Sequence, residues 1–235
     1  MKRDILIGTL VLAAGTLLAA DPKDEVTAAT KALADKDNYS WKQTTENAGG
    51  GGFGAGAAEG KVEKGGYIWT SREGRNNNTI ESVKKGEKAA IKTQDGWQSL
   101  ADLSSEQGRG RGMAMMLRTL RAPAAQVLDI LPKMKDVKKD GDVYSGDLTE
   151  EGAKAQLTFG GRRGGNGPDI SGAKASAKFW LKDGVLSKYE LKVQGTVSFN
   201  GNDRDIDRTT TVEIKNVGTT KLEVPAEAKK KLGAE

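Results

Sequence analysis

The longest regular pattern in the chain runs from Val185 to Phe199, where apolar and polar positions alternate throughout. Val185, Tyr189, Leu191, Val193, Val197 and Phe199 fall in one phase together with Ser187 and Gly195. Leu186, Lys188, Glu190, Lys192, Gln194, Thr196 and Ser198 fall in the other. A two-residue period predicts a strand with one face on a core and one in water. At roughly 3.3 Å per residue such a strand extends about 50 Å, well beyond the usual length of about five or six residues, so its sheet must twist and curl around something to stay covered.

Asn200-Gly201-Asn202-Asp203 then supplies residues that tolerate positive φ at a hairpin tip. The return run sets Ile206, Thr210, Val212 and Ile214 in one phase against Asp207, Thr209, Thr211, Glu213 and Lys215 in the other. Upstream, Ala173 to Leu181 reads as a third strand with Ala175, Ala177, Phe179 and Leu181 inward, and Asp183-Gly184 turns it into the long one. Trp180 shares the phase of Lys174, Lys178 and Lys182 and is expected on the outer surface.

Asp21-Pro22 opens a predicted helix with Val26, Ala29 and Leu33 at helical spacing up to Asp37-Asn38. Strand patterns follow at 39–46, 60–64, 67–72, 79–84, 88–93 and 96–100, separated by short polar or glycine turns, which describes a meander. The period changes at Met113, Met116, Leu117 and Leu120, and Pro123 restarts a second helix through Val127, Leu128 and Leu131. Strands at 135–139 and 142–146, a helix at 149–159 and a basic C-terminal helix at 225–232 complete the reading. Glycine-rich stretches at 49–60, 108–112 and 161–167 lack the apolar residues that offset ordering entropy and are expected to be mobile loops.

Lys2-Arg3, an apolar run from Ile5 to Leu18 and Ala19-Ala20 read as an export signal cleaved after Ala20, which places the protein in a periplasm or outside the cell. Loss of Lys2, Arg3 and Asp4 lowers the net charge from +5 to +4, a balance that suits solubility and not a nucleic-acid groove. Residues 21–235 suit a single domain, expected to be monomeric.

At this point the chain resembles a known superfamily. The run Phe179-Trp180-Leu181-Lys182-Asp183-Gly184-Val185-Leu186-Ser187-Lys188-Tyr189 is similar to a signature of the periplasmic lipoprotein carriers LolA and LolB and the mycobacterial LppX and LprG proteins. Gly96-Trp97, Val143-Tyr144-Ser145-Gly146 and Val224-Pro225-Ala226-Glu227-Ala228 are similar to that group as well, as is the order of elements. The resemblance implies an α+β fold: a long curved antiparallel sheet, an incomplete β-barrel, with helices covering the concave face over a cavity for acyl chains. It implies no catalytic residues. The chain departs from the mycobacterial members in lacking a cysteine for a lipid anchor, and from the pattern generally in its glycine insertions at 49–60 and 161–167.

On that reading a hydrophobic ligand or lipid would meet Tyr39, Trp41, Phe179, Leu181, Tyr189, Leu191, Val193 and Val212 from the sheet. Met113, Met116, Leu117 and Leu120 would meet it from a methionine-rich cover, since methionine adapts to irregular shapes. Arg109, Arg111, Arg118 and Arg121 stand beside that cover, where they would steer it toward anionic head groups or a membrane surface. The alternative is an envelope scaffold or protein-interaction module of the same fold with a filled core.

Enzymatic readings find little support. The chain has no histidine and no cysteine, the commonest general base and the thiol nucleophile. Ser82-Val83-Lys84-Lys85 and Ser171-Gly172-Ala173-Lys174 satisfy S-x-x-K, but in or beside strands and without the companion motifs of penicillin-recognising enzymes. Asn200 to Asp207 fails the calcium-loop template at its sixth and twelfth positions, and no metal or cofactor is expected. The Arg-Gly pieces lack the interleaved aromatics of nucleic-acid binders.

Overall fold

A computed structural model describes residues 21–48, 56–74, 78–105, 108–158, 168–199 and 201–233. The proposed export signal and the glycine runs at 49–55 and 161–167 lie outside these residues. The first helix, α1 (Pro22–Ala34), starts where its capping chemistry places it, with the Asp21 carboxylate accepting from the Lys23 N–H at 2.8 Å. Six strands follow: β1 (Tyr39–Asn47), β2 (Gly56–Glu63), β3 (Tyr67–Glu73), β4 (Thr79–Lys85), β5 (Lys88–Thr93) and β6 (Gly96–Ser99). Helices α2 (Leu100–Ser105), α3 (Arg109–Thr119) and α4 (Pro123–Ile130) interrupt the sheet, which resumes with β7 (Lys138–Asp140) and β8 (Val143–Asp147). After α5 (Glu150–Leu157) come the three long strands β9 (Asp169–Lys182), β10 (Val185–Phe199) and β11 (Asn202–Lys215), and α6 (Ala226–Lys231) lies near the end.

All eleven strands form one antiparallel sheet in the order β6-β5-β4-β3-β2-β1-β11-β10-β9-β8-β7, and it does not close on itself. The register puts Tyr39, Trp41, Val212, Tyr189, Phe179 and Val193 on one face, where they pack with Val26 and Leu33 of α1, Val127 of α4 and Leu157 of α5. This is the helix-covered concave face. On the same face farther along, Ala89 and Ile91 pack under Leu103 of α2 and Ala114 and Leu117 of α3. Glu25 ties α1 to the sheet margin, accepting from the Tyr144 hydroxyl and from Lys139 Nζ, and these donors, tyrosine first, hold its carboxyl below the usual carboxylate range.

Several sequence expectations need correction. The alternation of β10 slips at its start: a register shift between Leu186 and Lys188 turns Leu186 into the core, 1% exposed. Leu100 belongs to α2, because Ser99 and Asp102 form a reciprocal capping box that ends the strand: the Asp102 N–H donates to Ser99 Oγ and the Ser99 N–H to Asp102 Oδ2. Residues 109–112 are helical, not loop; with glycine preceding it and two glycines inside, α3 is held by burial of Ala114 and Leu117, not by propensity. The strand expected at 135–139 pairs only over Lys138–Asp140, since Lys135 and Met134 bind Asp147 and Leu148 instead. There a Cβ on Gly146 would lie 2.0 Å from the Asp136 carbonyl oxygen, so glycine is required for the approach.

The outer face of β4–β6 is covered as well. Val83, Ala90 and Trp97 occupy the convex phase and pack against Leu222, Val224, Ala228 and Leu232 of the C-terminal segment. These short strands are therefore buried on both faces, whereas the convex side of β10 and β11 is a solvated ladder. In that ladder the side chains of Gln194, Thr196 and Ser198 donate to Asp207, Asp205 and Asp203 directly across the hairpin.

Candidate functional site

A cleft of about 1430 Å³ opens on the concave face between the two groups of helices. Its floor takes Gln43 and Thr45 from β1, Ala58 from β2, Arg72 from β3, Ile80 from β4, Ile91 from β5, Tyr189 and Leu191 from β10, and Arg208 and Thr210 from β11. Gly110, Met113 and Thr119 of α3 border it on one side, with Gln126 of α4 and Gln156 of α5 on the other. The walls thus mix an apolar set with amides, hydroxyls, two guanidiniums, the Lys92 ammonium and the carboxylates of Glu73, Glu81 and Asp95. A smaller hollow of about 440 Å³ lies at the far end, beside Tyr39, Val62 and Ile68.

Polar side chains hold the floor in place. Tyr189 donates to Gln126 Oε1 at 2.6 Å, pinning α4 to β10 at the cleft wall. Thr45 and Thr210 hydroxyls meet at 3.3 Å across β1 and β11, and those of Thr70 and Ser82 at 2.7 Å across β3 and β4. Burial raises the phenol of Tyr189, and raises that of Tyr39 to about 12, so both stay neutral at physiological pH, Tyr39 with its hydroxyl accepting from the Ala124 N–H at 3.5 Å. Lys84, also on the concave face, donates to the carbonyls of Arg118 and Leu120 and so caps the C-terminus of α3. Desolvation lowers its pKa, against the attraction of Glu87.

Of the residues proposed from sequence to meet a ligand, Met113, Tyr189 and Leu191 line the cleft, and Tyr39 lines the smaller hollow. Trp41, Phe179, Val193 and Val212 lie in the core beneath α1, α4 and α5, with Leu181 half-buried at its margin. Leu117 is fully buried under α3 and Met116 packs beside it, while Leu120 is half-buried at the end of that helix. The methionine segment therefore does cover the concave side of β5, but through Ala114 and Leu117 as much as through its methionines.

Arg72 and Arg208 were not anticipated, although a signal was present. Both fall in the inward phase of their strands, where Arg72 alternates with Ile68 and Arg208 with Ile206 and Val212. The S-x-x-K serine at 82 is on the concave face, buried, while Lys85 projects on the convex side with its ammonium 4.4 Å from the Tyr67 ring centre. A strand places positions three apart on opposite faces, so this pair cannot act together. Trp180 faces outward as expected, with the Lys188 ammonium 4.6 Å from its ring centre. Among the described residues no group of three or more carboxylates is placed to hold a metal ion, and no helix is long and apolar enough to cross a membrane.

No family model and no curated protein matches the chain. Solved structures do. The lipoprotein LppX of Mycobacterium tuberculosis is similar at 10% identity over 87% of this chain and 98% of its own, with a TM-score of 0.48. LprF from Mycobacterium bovis is similar at 12% identity over 88% and 97%, with a TM-score of 0.46. A LolA superfamily protein from Nitrosomonas europaea is similar at 8% identity over 87% and 96%, with a TM-score of 0.37.

Proposed function

We propose that the protein is an exported, non-catalytic carrier or sensor that holds a hydrophobic ligand, such as a lipid acyl chain, in the concave cleft. The observation that supports this reading is the cleft itself. At about 1430 Å³ it exceeds the roughly 300–1,000 Å³ of ordinary small-molecule sites, so a long amphiphile fits within it. Ile80, Ile91, Met113, Tyr189 and Leu191 give it an apolar wall, and α3, bordered by glycine at its start, gives it a cover. An interaction module with a filled core has no use for such a void.

Native mass spectrometry of the protein purified from its own host tests the reading. The expected result is a population carrying a lipid-sized mass, lost when Leu191→Trp fills the cleft. Bare wild-type protein, together with no saturable uptake of a neutral amphiphile such as monoolein, would overturn it.

A further inference from the structure

The arginines around α3 do not share one role. Arg121 is paired with Asp129 at 2.8 Å. Arg118 donates to Ser104 Oγ at 2.9 Å, a neutral acceptor that leaves its charge in place, and Arg111 is exposed; neither forms an ion pair among the described residues. The faces of the helix are sorted as well. Gly110, Ala114 and Leu117 are buried, whereas Arg111, Met115 and Arg118 are exposed and recur at the i, i+4, i+7 spacing of one outward stripe. Met115 is 40% exposed, and among the described residues only Val217 is a second large apolar side chain left so open.

Folding alone does not account for this stripe. Helices α1 and α5 carry acidic residues in their first turn, Asp24 and Glu25 in one and Glu150 and Glu151 in the other. By contrast α3 begins with Arg109 and Arg111, has no carboxylate from Gly108 through Arg121, and receives no side-chain bond from its Gly108 cap. Cations at the positive end of a helix dipole are repelled, and Gly110 and Gly112 lower the helix propensity further. A negative surface outside the helix would offset that repulsion. The carboxylates of neighbouring elements belong to other contacts: Asp102 of α2 is bound to Lys231 at 3.0 Å, Glu87 attracts Lys84, and Glu73 and Asp95 line the cleft. Glu106, which precedes the helix, lies outside the described residues.

We infer that the outward face of α3 docks the protein on an anionic lipid surface, with Arg111 and Arg118 meeting the phosphates and Met115 entering the head-group layer beside them. Helices that lie on membranes combine basic residues with an apolar edge in this way, and the unbranched thioether of methionine adapts to an irregular environment. The size of the face favours a membrane over a protein partner. Eleven helical residues extend about 16 Å, too little for the roughly 800 Å² that each side of a stable protein interface buries. Adsorption to a charged bilayer instead adds up cation by cation and needs no complementary shape. This goes beyond the carrier reading, because docking requires no cargo. Since α3 also borders the cleft through Met113 and Thr119, docking brings lipid to within about 10 Å of it, the thickness of one helix.

The test is co-sedimentation of the protein, purified from its own host, with vesicles of phosphatidylcholine alone or of equimolar phosphatidylcholine and phosphatidylglycerol at low ionic strength. Binding is expected to the anionic vesicles only, and added salt should release it. A basic side chain at an anionic surface strengthens binding about fivefold, so R111Q/R118Q should weaken it about twentyfold or more. R111K/R118K keeps both charges and is expected to bind nearly as the wild type does. K174Q/K192Q removes the same charge from the convex side of the sheet, where both lysines are exposed, and is expected to leave binding unchanged. Thermal unfolding checks that each variant is folded. Equal binding to the two kinds of vesicle overturns the inference, and so does an equal loss in R111Q/R118Q and K174Q/K192Q, which would assign adsorption to net charge. Absence of wild-type binding to anionic vesicles overturns the membrane assignment and leaves the stripe to an acidic protein. None of these results bears on the carrier reading, which native mass spectrometry tests separately.

Discussion

The two halves of the sheet reach burial by different routes. From β1 through β11 to β7 the sheet has strands of up to 15 residues, a single core on the concave side and polar cross-strand pairs in water on the convex side. From β4 to β6 the strands have four to seven residues and are covered on both faces, by α2 and α3 inside and the C-terminal segment outside. A long amphipathic strand buries enough area on one face to hold its place, whereas a short one needs both. Each half has its own helical cover, and the cleft lies where the two covers fail to meet. The void therefore follows from an architecture with two cores under one sheet.

The largest effect is expected in the long-strand core. Phe179 is fully buried beneath the helices, and Phe179→Ala leaves a cavity there, costing about 3–5 kcal/mol. Denaturant titration should show the loss as one cooperative transition with every spectroscopic probe moving together. A transition that splits, with β3–β6 unaffected, would mean the halves fold independently and would break the comparison into two separate units.

Leu103→Ala comes next, at about 3 kcal/mol, because Leu103 is fully buried between α2 and the inner face of β5. Here the location of the damage matters more than its size. Hydrogen exchange should show lost protection in α2, α3 and β4–β6, with β9–β11 retaining theirs, since local opening follows the unit that loses contacts. Uniform loss across the whole sheet would argue for one core in place of two.

A smaller effect is expected where the covers border the cleft. Tyr189→Phe keeps the ring in the core but removes the hydrogen bond to Gln126, at a cost of about 1 kcal/mol. If α4 is pinned to β10 by that bond, the amides of α4 exchange faster while α1 stays protected. Unchanged exchange in α4 would show that its apolar contacts alone set that edge of the cleft.

How much of this was legible in the sequence follows from the same contrast. The long-strand half was readable because periodicity and one-sided burial coincide: β10 occupies the predicted residues, Asp21-Pro22 starts α1 and Pro123 starts α4. The short-strand half was read in its elements but not in its burial. Ala89-Ala90-Ile91 is a continuous apolar run, the pattern of a strand covered on both sides, yet which segment supplies the outer cover is decided by Leu222 and Leu232, more than a hundred residues away. The cleft was anticipated as greasy from the inward aromatics. Trp41 and Phe179 instead pack under helices, and Trp41 lies across Gly60, where a Cβ would come within 2.0 Å of its ring. The inward phase of Arg72 and Arg208 was visible in the sequence, but their place in the cleft wall follows only from the register.

The smallest effect concerns the clasp that joins the inner and outer covers of the short-strand half. Lys231 of α6 donates to Asp102 of α2 at 3.0 Å around the exposed edge of β6, so the two layers grip the edge strand between them. The Ser99 N–H first, then the Lys231 ammonium and the Ser99 hydroxyl, draw the Asp102 carboxyl down to about 2. A carboxyl whose folded value lies below its ordinary 3.8 contributes stability that is complete above that ordinary value and is lost as the pH falls through about 2. Because both side chains are well exposed, the contribution is modest and weakens with salt. Comparing Asp102→Asn with the wild type, the difference in α6 protection from hydrogen exchange should be constant from neutral pH to about 4, shrink below it and vanish near pH 2. A difference that persists unchanged into acid would assign the clasp to the neutral capping bonds around Ser99 and leave Lys231 without a part in it. The outer cover would then be held by Leu222, Val224 and Leu232 alone, and the two faces of the short-strand half would be stabilised separately.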